Sequence, residues 1–148
     1  MGRLSHLDQI FESHRIALDA NIFILAIEAN QDFPIAAAFF ERLKSKSRTV
    51  VTSVLTLLEA TVPLFRLKAS VAQITEYVDF VNGYGKIQII PVDGEVAVKA
   101  AQYRAEYRLE APDAIHLATA LSTGANIFVT ADRDFKMKSV DGVKIITI

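Results

Sequence analysis

Four acidic residues stand where a folded chain could use them together. Asp19 directly follows the apolar run Arg15-Ile16-Ala17-Leu18, and Asp132 lies two residues after the run Asn126-Ile127-Phe128-Val129-Thr130. Asp113 follows Pro112 in the first turn of a helical segment, where free N–H groups and the helix dipole favour an ionised carboxylate. In open parallel sheets, ligands collect beyond the carboxyl ends of the strands, and these three residues fall where that rule puts a site. Glu59 is different: it sits among Val54, Leu55, Leu57, Leu58 and Ala60, company in which an unpaired carboxylate is costly. Carboxylates converging without cations repel one another and raise their own pKa values. Mg2+ or Mn2+ resolves that conflict, because hard divalent cations prefer oxygen ligands and keep several waters. Such a cation orients and helps deprotonate a water and stabilises charge on a phosphoryl group. With no cysteine and three histidines in the chain, the donor set points away from zinc. The chemistry suggested is metal-assisted phosphodiester hydrolysis.

The elements that must position these residues are strands alternating with helices. Strands are expected at Arg15–Leu18, Thr49–Thr52, Ile87–Pro91, Asn126–Thr130 and Val143–Thr147, each apolar or β-branched with little alternation. Helices are expected over Ile22–Ala29, Pro34–Lys46, a segment after Ser53 that carries Glu59 and is kinked or divided by Pro63, Ala69–Phe80, Gly94–Tyr107 and Asp113–Leu121. Asp19-Ala20-Asn21 suits a strand end and a helix cap. Near-continuous apolar strands joined by helices imply a sheet covered on both faces. The fold class is therefore α/β: a three-layer α/β/α arrangement around a central, mostly parallel five-stranded sheet. No repeat, linker or low-complexity stretch divides residues 1–148, so one domain is expected.

Composition bounds the function. At 148 residues with 51% hydrophobic and 22% charged residues, the chain has the make-up of a packed domain and not of a disordered tail. Sixteen basic against seventeen acidic residues give a net charge of −1, so any polyanion must be held by local patches or bound metal. The absence of cysteine excludes disulfides and thiol catalysis and suits a reducing cytoplasm. The N-terminus lacks an uninterrupted apolar core of the secretory kind, and no apolar run approaches the roughly 18 residues of a membrane span. A cytoplasmic location is expected.

Taken in order, four segments resemble the motifs of the PIN domain family. They are Leu18-Asp19-Ala20-Asn21-Ile22-Phe23, Thr52-Ser53 leading to Glu59, Pro112-Asp113-Ala114-Ile115-His116-Leu117-Ala118-Thr119-Ala120, and Phe128-Val129-Thr130-Ala131-Asp132-Arg133-Asp134-Phe135. They span nearly the whole chain, and its size is similar to that of the VapC-like toxins, small stand-alone PIN domains of toxin–antitoxin pairs. The resemblance implies an endoribonuclease dependent on Mg2+ or Mn2+, with RNA as substrate, commonly a homodimer, and inhibited by a cognate antitoxin. It also implies that Asp19, Glu59 and Asp113 are the first three acidic metal ligands and catalytic residues. The fourth is Asp132 or Asp134; Asp132 is preferred, with Asp134 a capping or supporting residue. Asn21 and Thr130 match the polar residues that support the metal shell, while Ala20 replaces the Thr or Ser common at its position.

Each residue also has a plainer reading. Asp19 and Asn21 could cap a helix, Asp113 could serve the helix dipole, Glu59 could face solvent at a bend, and Asp132 could stabilise a turn. His116, three residues after Asp113 and on the same helical face, is expected to be a packed or hydrogen-bonded histidine and not a ligand. The run Lys44-Ser45-Lys46-Ser47-Arg48 is explained by a helix C-terminus. Two other functions compete. A phosphatase using Asp19 as nucleophile would place a second Asp two residues on, where this chain has Asn21, and a receiver-type phosphoacceptor would want an acidic pair near the first strand and a Lys after the last, neither of which is evident. A catalytically weak RNA- or protein-binding regulatory module on the same fold is the stronger alternative.

Overall fold

A computed structural model describes residues 2–28, 34–45 and 48–148. Ala29 and Lys46, expected as helix ends, lie outside the described residues, as does Ser47 of the basic run. Seven helices and six strands are described: α1 (Gly2–Phe11), β1 (Arg15–Leu18), α2 (Ala20–Ile27), α3 (Pro34–Ser45), β2 (Thr49–Ser53), α4 (Leu55–Arg66), α5 (Val71–Val81), β3 (Ile87–Ile90), α6 (Gly94–Tyr107), α7 (Ala111–Ser122), β4 (Ile127–Thr130), β5 (Ser139–Val140) and β6 (Val143–Thr147).

The strands form one sheet in the order β3-β2-β1-β4-β6-β5. All neighbours are parallel except β5 and β6. Because both faces are covered, each strand divides its apolar residues between two cores. Ile16, Leu18, Val50, Ile127, Val129 and Ile146 point into the core beneath α1–α5. Ala17, Val51, Phe128 and Ile145 point into the opposite core, with Val96, Ala100 and Tyr103 of α6 and Ala114, Leu117 and Ala118 of α7. The layering is the expected α/β/α.

Several elements differ from expectation. The sheet has six strands, not five: β5 is a two-residue antiparallel addition to the outer edge of β6. It is joined by Asp141 and Gly142, both left-handed (φ 49° and 83°), as a two-residue hairpin loop requires. The N-terminal segment forms α1, because Leu7, Ile10 and Phe11 make a buried stripe, with the Phe11 ring stacked on Phe39 at 5.2 Å. Pro63 lies inside α4 without dividing it. Lacking an N–H, Pro63 leaves the Glu59 carbonyl without its intrahelical donor, a small loss where the helix borders solvent. α5 begins at Val71 because Ser70 and Gln73 form a reciprocal capping box.

The larger apolar residues of α3, α4 and α5 divide into two groups. Phe39 and Val81 are in the core, and Phe40, Tyr77 and Phe80 pack against it. Phe65 is 63% exposed and shares a face of α4 with Leu58, 56% exposed; Leu67 and Val71 are also bare. No helix among the described residues is long and apolar enough to cross a membrane.

Candidate active site

In the order β3-β2-β1-β4 the chain runs from β1 to β2 and β3 on one side and then crosses back to β4 on the other, so a crevice opens between the carboxyl ends of β1 and β4. Asp19 stands there, 3% exposed. Its N–H donates to the Val129 carbonyl (2.9 Å). Oδ1 accepts from the Ala20 N–H at 2.8 Å, capping α2. Oδ2 accepts from the Thr130 hydroxyl at 2.7 Å, and the Asn21 amide nitrogen is 3.4 Å away. The plain reading of Asp19 as a cap is thus correct as far as it goes, and uses only one of its two oxygens.

Asn21 and Thr130 tie the two strand ends together. The Asn21 side-chain oxygen accepts from the Ala131 N–H at 3.0 Å, and the Thr130 hydroxyl accepts from the Asp132 N–H at 3.0 Å. These bonds hold the backbone where the chain leaves β4, and so set the position of Asp132. Asp132 in turn accepts the Asp134 N–H on Oδ1 at 2.8 Å. Asp132 is half-buried beside the site, whereas Asp134 is exposed.

Glu59 on α4 and His116 on α7 meet from opposite sides of the sheet's carboxyl edge. His116 Nε2 lies 2.8 Å from Glu59 Oε1 and 3.6 Å from Asp19 Oδ1. The imidazole is buried, and its Nδ1 has no hydrogen-bond partner among the described residues. A hydrogen-bonded histidine was expected, but its contact with two of the four acidic residues was not; the spacing from Asp113 to His116 was the available signal. Burial opposes charge on the ring, yet the bond to Glu59 and the charges of Asp19, Glu59 and Asp113 hold its pKa above the ordinary histidine value.

The electrostatics of the remaining carboxylates show how closely the set converges. Burial pushes the Asp19 pKa up, against the pull of His116 and the Thr130 hydrogen bond. Asp113, half-buried in the first turn of α7, is pushed up to about 6, first by burial and then by the charges of Asp19, Asp132 and Glu59. The structure therefore brings Asp19, Glu59, Asp113 and Asp132 into one field. Asp134 lies to one side, on the wall of a cavity that Asp113 also lines. Ala20 has no hydroxyl to present to the site; the hydroxyl that bonds Asp19 is that of Thr130.

Among the described residues, no three His, Asp or Glu side chains already stand in metal-ligating geometry. The chemistry of the set nevertheless suits a hard divalent cation: oxygen donors of unequal burial, with burial first and neighbouring carboxylates second in raising the Asp113 carboxyl.

The PIN domain family model matches residues 16–140. The chain belongs to the PIN domain family. Among solved structures, this PIN domain is similar to a toxin–antitoxin complex from Klebsiella pneumoniae, at 25% identity and TM-score 0.61 over 86% of this chain and 94% of that one. It is also similar in fold to a VapBC complex from Rickettsia felis bound to a promoter DNA fragment (20% identity, TM-score 0.68, 90% and 98% covered). A third neighbour is a sarcin–ricin-loop-cleaving VapC toxin from Mycobacterium tuberculosis (17%, 0.65, 87% and 98%). Among curated proteins none matches the sequence. In the PIN domain described here, the four acidic residues singled out in the sequence lie at the β1/β4 crevice or on the helices that flank it.

Proposed function

We propose that this PIN domain is an endoribonuclease dependent on Mg2+ or Mn2+ and the toxin of a toxin–antitoxin pair. The observation that carries the reading is the placement of Asp19 and Asp132 at the carboxyl ends of β1 and β4, with Glu59 of α4 and Asp113 of α7 on the flanking helices; the charges of Asp19, Asp132 and Glu59 add to burial in raising the Asp113 carboxyl. These four would hold the cation and are the proposed catalytic residues, with Asn21, Thr130 and Asp134 in support. When bound, the cation would supply an activated water and charge neutralisation on the phosphoryl oxygens. The chain's own residues do the rest. Thr130 and the Ala20 N–H fix Asp19 so that its carboxylate does not swing. Thr130 and Asn21 fix the β4 exit that presents Asp132. His116 holds Glu59 against the crevice.

The similarity to toxin–antitoxin complexes supports a cognate antitoxin as partner. The exposed Leu58 and Phe65 on one face of α4, with Leu67 and Val71 also bare, support a homodimer, since exposed apolar surface marks interfaces. Light scattering at micromolar concentration should return twice the chain mass, and a single-chain mass removes the dimer.

The catalytic reading is tested on mixed unpaired RNA. Excess EDTA should stop cleavage and Mn2+ or Mg2+ should restore it, with Asp19→Asn and Asp113→Asn inactive; equal cleavage in EDTA sinks the mechanism. One observation favours the alternative, a catalytically weak RNA- or protein-binding module: His116 already places an imidazole between Glu59 and Asp19, an internal counter-charge where the cation would act. On that reading Mn2+ gives no rise in melting temperature and no cleavage, while RNA or a protein partner still binds.

A further inference from the structure

A cavity of about 380 Å3 opens beside Asp113, between the end of α6 and the start of α7 on one side and the segment after β4 on the other. Its volume falls within the roughly 300–1,000 Å3 of small-ligand sites. Three carboxylates line it, those of Glu110, Asp113 and Asp134, together with the cations Arg108 and Lys136 and the ring of Tyr107. Among the described residues, neither Arg108 nor Lys136 forms an ion pair, although carboxylates share the same walls. Their charges are left for something that enters.

Two features hold this wall in place. Arg108 ends α6 in the left-handed conformation (φ 56°, ψ 34°), its N–H donating to the Arg104 carbonyl, a backbone that non-glycine residues adopt at some cost. Tyr107 is partly exposed, and its ring tilts against Tyr103 with centroids 5.9 Å apart. Tyr103 is itself buried and donates its hydroxyl to Asp141 at 2.7 Å. Arg108 also borders a shallower depression lined by Arg104, so positive charge continues away from the acidic centre.

We propose that this cavity receives one unpaired nucleotide next to the bond to be cut, its base against Tyr107 and its phosphate held by Arg108 and Lys136. The inference rests on the RNA-cleaving reading of the neighbouring carboxylates and adds to it where the strand runs. An acidic site repels the strand it must cut, and free cations on the adjoining wall offset that repulsion. A base can meet the Tyr107 ring only when it has left a helical stack.

The test is binding of a short fluorescent single-stranded RNA of mixed sequence, read by anisotropy in EDTA so that no turnover intervenes. Tyr107→Ala should weaken binding about fivefold or more and leave the salt dependence unchanged. Arg108→Gln and Lys136→Gln should each flatten the slope of log affinity against log salt by about 0.7. Arg108→Gly, which suits the left-handed backbone, must flatten it equally, separating lost charge from disturbed folding. The matching double-stranded RNA should be insensitive to Tyr107→Ala. If the variants bind as wild type does while the wild type cleaves RNA with Mn2+, the subsite is wrong and the nuclease reading stands. If binding falls as described but no cation supports cleavage, the nuclease reading fails and the subsite stands. A wild-type protein that binds no RNA overturns the subsite outright.

Discussion

At the residue scale, the site is a balance between repulsion and hydrogen bonding, and two substitutions separate them. Asp113 is pushed from 3.8 up to about 6, so the folded protein keeps a proton that the unfolded chain has released. Its contribution to stability is therefore present below about pH 4 and is lost as pH rises to about 6. Solvent around the half-buried side chain limits the loss to about 1 kcal/mol. In EDTA, Asp113→Asn should flatten this part of the stability profile, measured by urea unfolding between pH 4 and 7. It should also abolish the rise in melting temperature that Mn2+ gives the wild type. An Asp113→Asn protein less stable in EDTA, yet gaining as much from Mn2+, would make Asp113 a helix cap and nothing more. Thr130 acts in the opposite sense, since its hydroxyl both donates to Asp19 and accepts from the Asp132 N–H. Thr130→Val keeps the shape and strands both partners, so it should cost about 1–3 kcal/mol, with Thr130→Ser recovering most of it. An unchanged urea midpoint for Thr130→Val would show that water replaces the hydroxyl.

At the scale of elements, what the sequence made legible followed from periodicity, and what it hid followed from local chemistry or long-range contact. β1, β2, β4 and β6 could be read because buried parallel strands are apolar runs, and the ends of β1 and β4 then placed Asp19 and Asp132. α1 could have been read from the spacing of Leu7, Ile10 and Phe11. The start of α5 was two residues off because Ser70 is the cap and Gln73 its reciprocal partner, a pairing visible in the sequence as Ser-x-x-Gln. Ser70→Ala should cost about 0.5–2 kcal/mol, read as a lower urea midpoint, and an unchanged midpoint would mean that α4 alone holds α5. The contact of His116 with Glu59 was not legible, because residues 57 apart in sequence are brought together only by the sheet between their helices. Nor could the chain alone separate Asp132 from Asp134; the structure adds that the Thr130 hydroxyl bonds the backbone of the first, which supports the proposal of Asp132.

At the scale of the whole molecule, the two cores do different work. The core under α1–α5 is rich in rings, with Phe23, Phe40 and Phe80 in mutual contact. In the core under α6 and α7, Ala114, Ala118 and Ala120 let α7 approach the sheet closely. That close approach carries Asp113 and His116 to the strand ends. The two-residue strand β5 contributes nothing to the site, yet it has a consequence for how the protein behaves in bulk. β6 reads Val143-Lys144-Ile145-Ile146-Thr147, and the side that does not pair with β4 would present bare amides and carbonyls to any other chain. Such edges template strand addition between molecules. β5 covers the start of that edge, and Gly142 at φ 83° makes the turn possible. Gly142→Val, which opposes the turn without touching the acidic crevice, should leave freshly refolded protein active but shorten its life in concentrated solution. Sedimentation of insoluble material over days, with binding of an amyloid-sensitive dye, would register the exposed edge; a variant that stays clear as long as the wild type would show that solubility is guarded elsewhere.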